Sequence, residues 1–163
     1  MSRIVATLGG VGYMRPAPGT WGSLAALVLA AGLLALGGAW LLLAALVAIL
    51  PFGLWAASLV IAEGGDADPP SVVIDEVAGQ WIALLPVAFG ALRADASPFA
   101  LWPGWLAAFL LFRLFDVWKP WLVGRADRRG DALGLMLDDV AAGALAALGV
   151  VALAALAHLP LLL

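Results

Sequence analysis

Apolar residues run along this chain in long blocks, and charges gather in the short stretches between them. Residues 16–62 hold no Asp, Glu, Lys or Arg over 47 positions. An α-helix rises about 1.5 Å per residue and crosses the hydrocarbon of a bilayer in about 20 residues. That run therefore holds two spans, residues 21–36 and 39–61, with Gly37-Gly38 as the natural turn between them. Three more apolar runs follow, residues 77–92, 96–112 and 140–159, the last ending beside Pro160. The pattern predicts an all-α, polytopic membrane protein with about five membrane-embedded helices, forming a single domain over residues 1–163.

Composition strengthens that expectation. The chain is 65% hydrophobic and 12% charged, with a mean hydropathy of +1.09, whereas soluble domains are about half apolar and about a quarter charged. The net charge is −3 and there is no basic tract, so nucleic acid is excluded as a partner. There is no cysteine, which removes thiol catalysis, disulfides and thiolate metal sites. Residues 1–14 are interrupted by Gly9, Gly10 and Gly12 and are read as mature sequence rather than a signal peptide. Nothing in the composition specifies an oligomeric state.

The charges fall almost entirely on one side. With the N-terminus inside, the inner segments are residues 1–20, 62–76 and 113–139. They hold Arg3, Arg15, Arg113, Lys119, Arg125, Arg128 and Arg129, and leave only Arg93 outside. This is the asymmetry of a chain oriented by its cytoplasmic basic residues. The acids follow the same division, which that rule does not require: all but Asp95 are inside. The expected site is therefore at the cytoplasmic face.

Three acidic groups abut apolar runs. Asp75-Glu76 opens the third, Asp116 closes the fourth, and Asp138-Asp139 opens the fifth. One carboxylate at a helix start is explained by the dipole and the free N–H groups there. Adjacent carboxylates at the membrane edge repel each other unless a counter-charge is present, and a bound cation supplies one. The segments Asp75-Glu-Val-Ala-Gly79 and Asp138-Asp-Val-Ala-Ala-Gly143 resemble each other, and glycine lets membrane helices approach closely. Close approach would bring both acidic pairs to one site. Oxygen-only ligands suit Mg²⁺, so Asp75, Glu76, Asp116, Asp138 and Asp139 form the candidate metal set.

Arg113, Asp116 and Lys119 are spaced to share roughly one helix face, ending at Pro120. They can be a snorkelling ion-pair ladder, or they can hold a phosphate, with Lys119 as a point charge and Arg113 as a bidentate clamp. Thr20 is a candidate N-cap at the start of the first span, and a helix N-terminus favours anions. Arg15 nearby adds a second candidate phosphate ligand. Asp127, Arg128, Arg129 and Asp131 read as a solvated loop, and the lone histidine, His158, falls on the far side.

These segments resemble the phosphatidylglycerophosphatase A family. The matching pieces are Pro18-Gly-Thr-Trp-Gly-Ser23, Asp68-Pro69 leading to Val73-Ile-Asp-Glu-Val77, Phe112-Arg-Leu-Phe-Asp-Val-Trp-Lys-Pro-Trp121, and Gly134-Leu-Met-Leu-Asp-Asp139 followed by Ala142-Gly143. The family often has proline where Leu122 stands. The resemblance implies Mg²⁺-dependent hydrolysis of phosphatidylglycerophosphate, a phospholipid substrate, to phosphatidylglycerol and phosphate. It implies a multi-pass protein of the bacterial cytoplasmic (inner) membrane, in contact with the lipid bilayer. It also implies functional roles for Asp75, Glu76, Asp116, Lys119, Asp138 and Asp139. The alternative reading of the same acids is a divalent-cation transporter or channel. A conduction path needs polar groups at several depths, and here the spans are apolar through their middles.

Overall fold

The computed structural model describes residues 1–64, 66 and 68–158, and every element in it is helical. A short helix α1 (Ser2–Ala6) and a 3₁₀ turn (Leu8–Tyr13) lead into the long α2 (Pro18–Gly64). Then come α3 (Ile74–Arg93), a 3₁₀ turn (Pro98–Leu101), α4 (Trp102–Trp118), the short α5 (Leu122–Asp127) and α6 (Ala132–His158). The last residue of the fifth expected span, residue 159, and the proline after it lie outside the described residues.

Helix α2 is two helices joined at Gly38, where the backbone reaches φ 66°, ψ −160°. Only glycine takes that conformation without strain. The break falls where the sequence places it, at Gly37-Gly38. Its two legs return to one place: Gly22 packs against Val73 and Gly53 packs against Ile74 and Met136. The start of α3 is thus gripped from both sides.

Among the described residues, three stretches are long and apolar enough to cross a membrane: Pro18–Gly64, Pro98–Trp118 and Ala132–Ala157. Five separate spans were expected. The first two expected spans form one continuous stretch bent at Gly38. The third, α3, has Asp75 and Glu76 in its first turn and Arg93 in its last, and it is walled by protein rather than being an apolar cylinder. Val77, Ala78, Gly79, Gln80, Ala83 and Leu84 on it are all buried. It packs against α2, α4 and α6, and the Trp81 Nε1–H donates to the Ala26 carbonyl of α2 at 2.9 Å. By contrast, Val28, Leu36, Trp40, Phe52, Leu110 and Leu148 stand exposed on the outer helices. Exposed apolar side chains of this kind are compatible with a lipid environment.

Candidate active site

The site is built where α3 and α6 cross. Gly79 lies four residues after Asp75, and Gly143 lies four residues after Asp139, one helical turn in each case. A Cβ on Gly143 would strike the Gly79 carbonyl, and a Cβ on Gly79 would strike the Phe112 ring and lie 2.6 Å from the Asp139 carbonyl oxygen. The two backbones therefore touch, as small residues in membrane helices allow. One turn away, their acidic side chains converge.

Asp75, Glu76 and Asp139 each offer a carboxylate oxygen, and the three oxygens lie within 4.8 Å of one another. Asp75 is only 6% exposed and Asp139 only 3%. Glu76 Oε2 is buried with no hydrogen-bond partner among the described residues. Asp75 and Asp138 each accept a hydrogen bond from the backbone N–H of the following acid, Glu76 (3.1 Å) and Asp139 (2.9 Å). That fixes the direction of the first carboxylate in each pair: Asp75 stays in the cluster beside Glu76, whereas Asp138 turns to Lys119 and leaves Asp139 to face the cluster.

The neighbouring cations are engaged mainly elsewhere, although the Arg113 charge also acts on Glu76. Arg113 pairs with Asp116 at 2.6 Å and reaches Ser23 Oγ at 3.4 Å. Lys119 pairs with Asp138 at 2.9 Å and with Asp127. Asp116 still lies near enough for its charge to act on Glu76 and Asp139. Three buried like charges with an orphaned oxygen need a counter-charge. The donor set is all oxygen, which fits a hard divalent cation. The residues present thus fit a metal ion by both charge and chemistry.

Several residues sit differently from the sequence reading. Asp138-Asp139 does not open a helix: α6 begins at Ala132, nearly two turns earlier, so helix capping cannot explain the pair. Asp131 has that role, its Oδ1 accepting the Gly134 N–H at 2.7 Å. Arg129 binds Asp131 in turn, and these hydrogen bonds, Arg129 first, hold the Asp131 carboxyl below the usual aspartate range. Asp131 is thus more than part of a solvated loop.

Lys119 does not continue the face of Arg113 and Asp116. Helix α4 ends at Trp118, and Lys119 is left-handed at φ 49°. Pro120 forbids another helical turn, so the chain leaves the axis there. Trp121 is also at positive φ, 37°. Strained non-glycine backbone of this kind persists where the surroundings enforce it, often at functional sites. Gly124 enforces it here, because a Cβ on it would lie 2.7 Å from the Lys119 carbonyl oxygen. That approach folds α5 back and delivers Asp127 to the Lys119 ammonium. Burial alone would lower the Lys119 pKa, but the hydrogen bonds to Asp127 and Asp138 outweigh it and hold the ammonium above the ordinary lysine value.

Asp127 and Asp68 are the residues that the sequence reading left outside the site. Asp68 shares the electrostatic neighbourhood of Lys119. Desolvation raises its carboxyl pKa, Lys119 opposes this, and Asp127, Asp66 and Asp116 push it up again. Asp127 reaches the site through the close approach of Gly124 to the Lys119 carbonyl, a contact that the sequence alone does not signal. Thr20 is not a cap, since α2 begins at Pro18 and Thr20 falls in its first turn. Arg15 is exposed on the segment before α2 and is not brought to the carboxylates. It lines a cleft of about 260 Å³ with Tyr13, Pro18 and Ser71.

The family model described as Phosphatidylglycerophosphatase A matches residues 4–154. A Haemophilus influenzae protein named Phosphatidylglycerophosphatase A is 37% identical over 145 residues, covering 88% of this chain and 83% of its own. The Escherichia coli K12 protein of the same name is 33% identical over 154 residues, 85% of this chain and 74% of its own. A Bacteroides thetaiotaomicron protein provisionally named phosphatidylinositol-3-phosphatase is 38% identical over 144 residues, 86% of this chain and 85% of its own. No solved structure matches the chain significantly.

Proposed function

The chain belongs to the phosphatidylglycerophosphatase A family, and on that premise we propose that Asp75, Glu76 and Asp139 hold Mg²⁺ for the hydrolysis of a lipid phosphomonoester. The reaction is phosphatidylglycerophosphate plus water to phosphatidylglycerol plus phosphate, a step of phosphatidylglycerol synthesis. The observation that carries the reading is the buried trio of carboxylates with the unpartnered Glu76 Oε2. Asp116 and Asp138 complete the five-carboxylate set at its edge, each tied to the cation that orients it.

Bound in this site, Mg²⁺ would polarise the phosphoryl oxygens and lower the pKa of the attacking water. The chain's own residues supply the rest. Arg113 keeps donors free beyond those used by Asp116 and Ser23, because a guanidinium carries five, and turns them toward the phosphate. Lys119 offsets the negative charge that grows in the transition state. A carboxylate of the cluster accepts the proton of the attacking water. The bond from phosphorus to the glycerol oxygen breaks, and that oxygen takes a proton from solvent. The first turn of α2, which includes Thr20, would favour an anion at its N–H groups.

The whole chain, residues 1–163, acts as one unit. It sits in the bacterial cytoplasmic membrane through its three long apolar stretches, with α3 enclosed among them. The distribution of basic residues supports a site at the cytoplasmic face. The transport alternative has no support: α2 carries no acid or base from Pro18 to Ala62.

The test is a substrate panel. Purified protein should release phosphate from phosphatidylglycerophosphate and leave phosphatidylglycerol, faster than it acts on phosphatidylinositol 3-phosphate. Faster release from the inositol lipid would move the substrate to that of the Bacteroides relative.

A further inference from the structure

The cleft at Arg15 is a separate feature of the same membrane face. Its floor is rigid: the Gly12 N–H bonds to the Thr7 carbonyl at 3.0 Å, and the Gly10 N–H to Thr7 Oγ1 at 3.1 Å. Gly12 abuts the Ser71 carbonyl so closely that no side chain fits between them. Tyr13, Ser71 and Arg15 all line it, two residues that carry hydroxyls and one that carries a guanidinium. Arg113 and Lys119 are both engaged by carboxylates, whereas Arg15 has no ion-pair partner among the described residues. It is a cation facing a polar cleft with no anion.

The cleft adjoins the carboxylate cluster. Pro18 lines it, and the next residue, Gly19, lies against Glu76 Oε1 and the Arg113 guanidinium. Consecutive residues of α2 thus border the cleft and the cluster. The proposed substrate has matching geometry. Its reacting phosphomonoester and a second phosphate, the phosphodiester to diacylglycerol, are separated by one glycerol. With the monoester at the carboxylates, the diester falls within reach of the neighbouring wall.

We propose that the cleft lined by Arg15, Tyr13 and Ser71 is a phosphodiester subsite, which selects lipid phosphomonoesters bearing a second phosphate one headgroup away. The subsite rests on the phosphatase reading above. It assigns Arg15 to the non-reacting phosphate rather than to the one removed. A guanidinium binds phosphate oxygens bidentately, and hydrogen bonds from both hydroxyls would fix the diester.

The experiment measures inhibition of phosphatidylglycerophosphate hydrolysis in nonionic mixed micelles by two lipids. Phosphatidylglycerol carries only the diester, and phosphatidate carries only a monoester. In Arg15→Gln the inhibition constant for phosphatidylglycerol should rise by about ten- to a hundredfold, the range for a charged hydrogen bond, while that for phosphatidate stays within about twofold. Arg15→Lys should recover part of the loss. An equal rise for both lipids would assign Arg15 to general attraction of anionic lipid and overturn the subsite. So would no change, or no inhibition of the unaltered protein by phosphatidylglycerol. No phosphate release by the unaltered protein would instead overturn the phosphatase reading, and the subsite with it.

Discussion

Gly143 of α6 meets the carbonyl of Gly79 in α3 so closely that a Cβ at position 143 would have to displace backbone. Each glycine lies one turn beyond an acid of the cluster, so this contact sets the distance from Asp75 and Glu76 to Asp139. Gly143→Ala should therefore separate the helices and loosen the cluster. Overpacking of this kind costs about 1–3 kcal/mol. Thermal unfolding in detergent should show a lowered midpoint, and phosphate release should fall more than tenfold in protein that remains folded.

Lys119 is held between Asp138 and Asp127. Lys119→Met removes a charge from the transition state and leaves Asp138 without its cation, so kcat should fall by about 10²–10³. Because the folded-state pKa is raised, the stabilisation is fully present below the ordinary lysine value and is lost only as pH rises through the higher folded value. No alkaline loss of activity from Lys119 is expected up to about pH 10. Asp127→Asn removes one of the negative charges that raise it, so the alkaline limb should move to lower pH. A pH–rate profile of both proteins measures this.

Asp131 caps α6 through the Gly134 N–H and is held below the usual aspartate range. A depressed pKa contributes stability above the unfolded value, about 3.9, which is lost as pH falls through the folded value. Asp131→Ala should lower the unfolding temperature by a few degrees at neutral pH. The difference between the two proteins should shrink as the pH is taken below 4, and thermal unfolding across pH checks the sign.

Gln80 is fully buried on α3, and neither atom of its amide has a partner among the described residues. An unsatisfied buried amide is costly, and an apolar replacement of similar shape relieves it. Gln80→Leu should raise the unfolding temperature. A fall would mean that bound water satisfies the amide.

Much of this architecture is legible in the chain. The break at Gly38, the end of α4 before Pro120, and the glycines one turn from the acids follow from local backbone chemistry and helical spacing. The sequence does not reveal what depends on the third dimension. The α-helical pattern of residues 132–139 blends into the loop before it, so Asp138 reads as a helix start although Asp131 is the cap. Asp127 reads as solvated because nothing in linear spacing shows that Gly124 lets α5 fold back onto Lys119. Helix α3 reads as a span, although its enclosure by α2, α4 and α6 is a tertiary property.

The most direct test of the metal-held carboxylate cluster is phosphate release from phosphatidylglycerophosphate by EDTA-treated protein as Mg²⁺ is restored, measured beside an Asp75→Asn, Asp139→Asn double variant. The unaltered protein should release no phosphate in EDTA and regain activity with Mg²⁺, while the double variant stays inactive at every concentration. Full activity in EDTA, or in the folded double variant, would contradict the account.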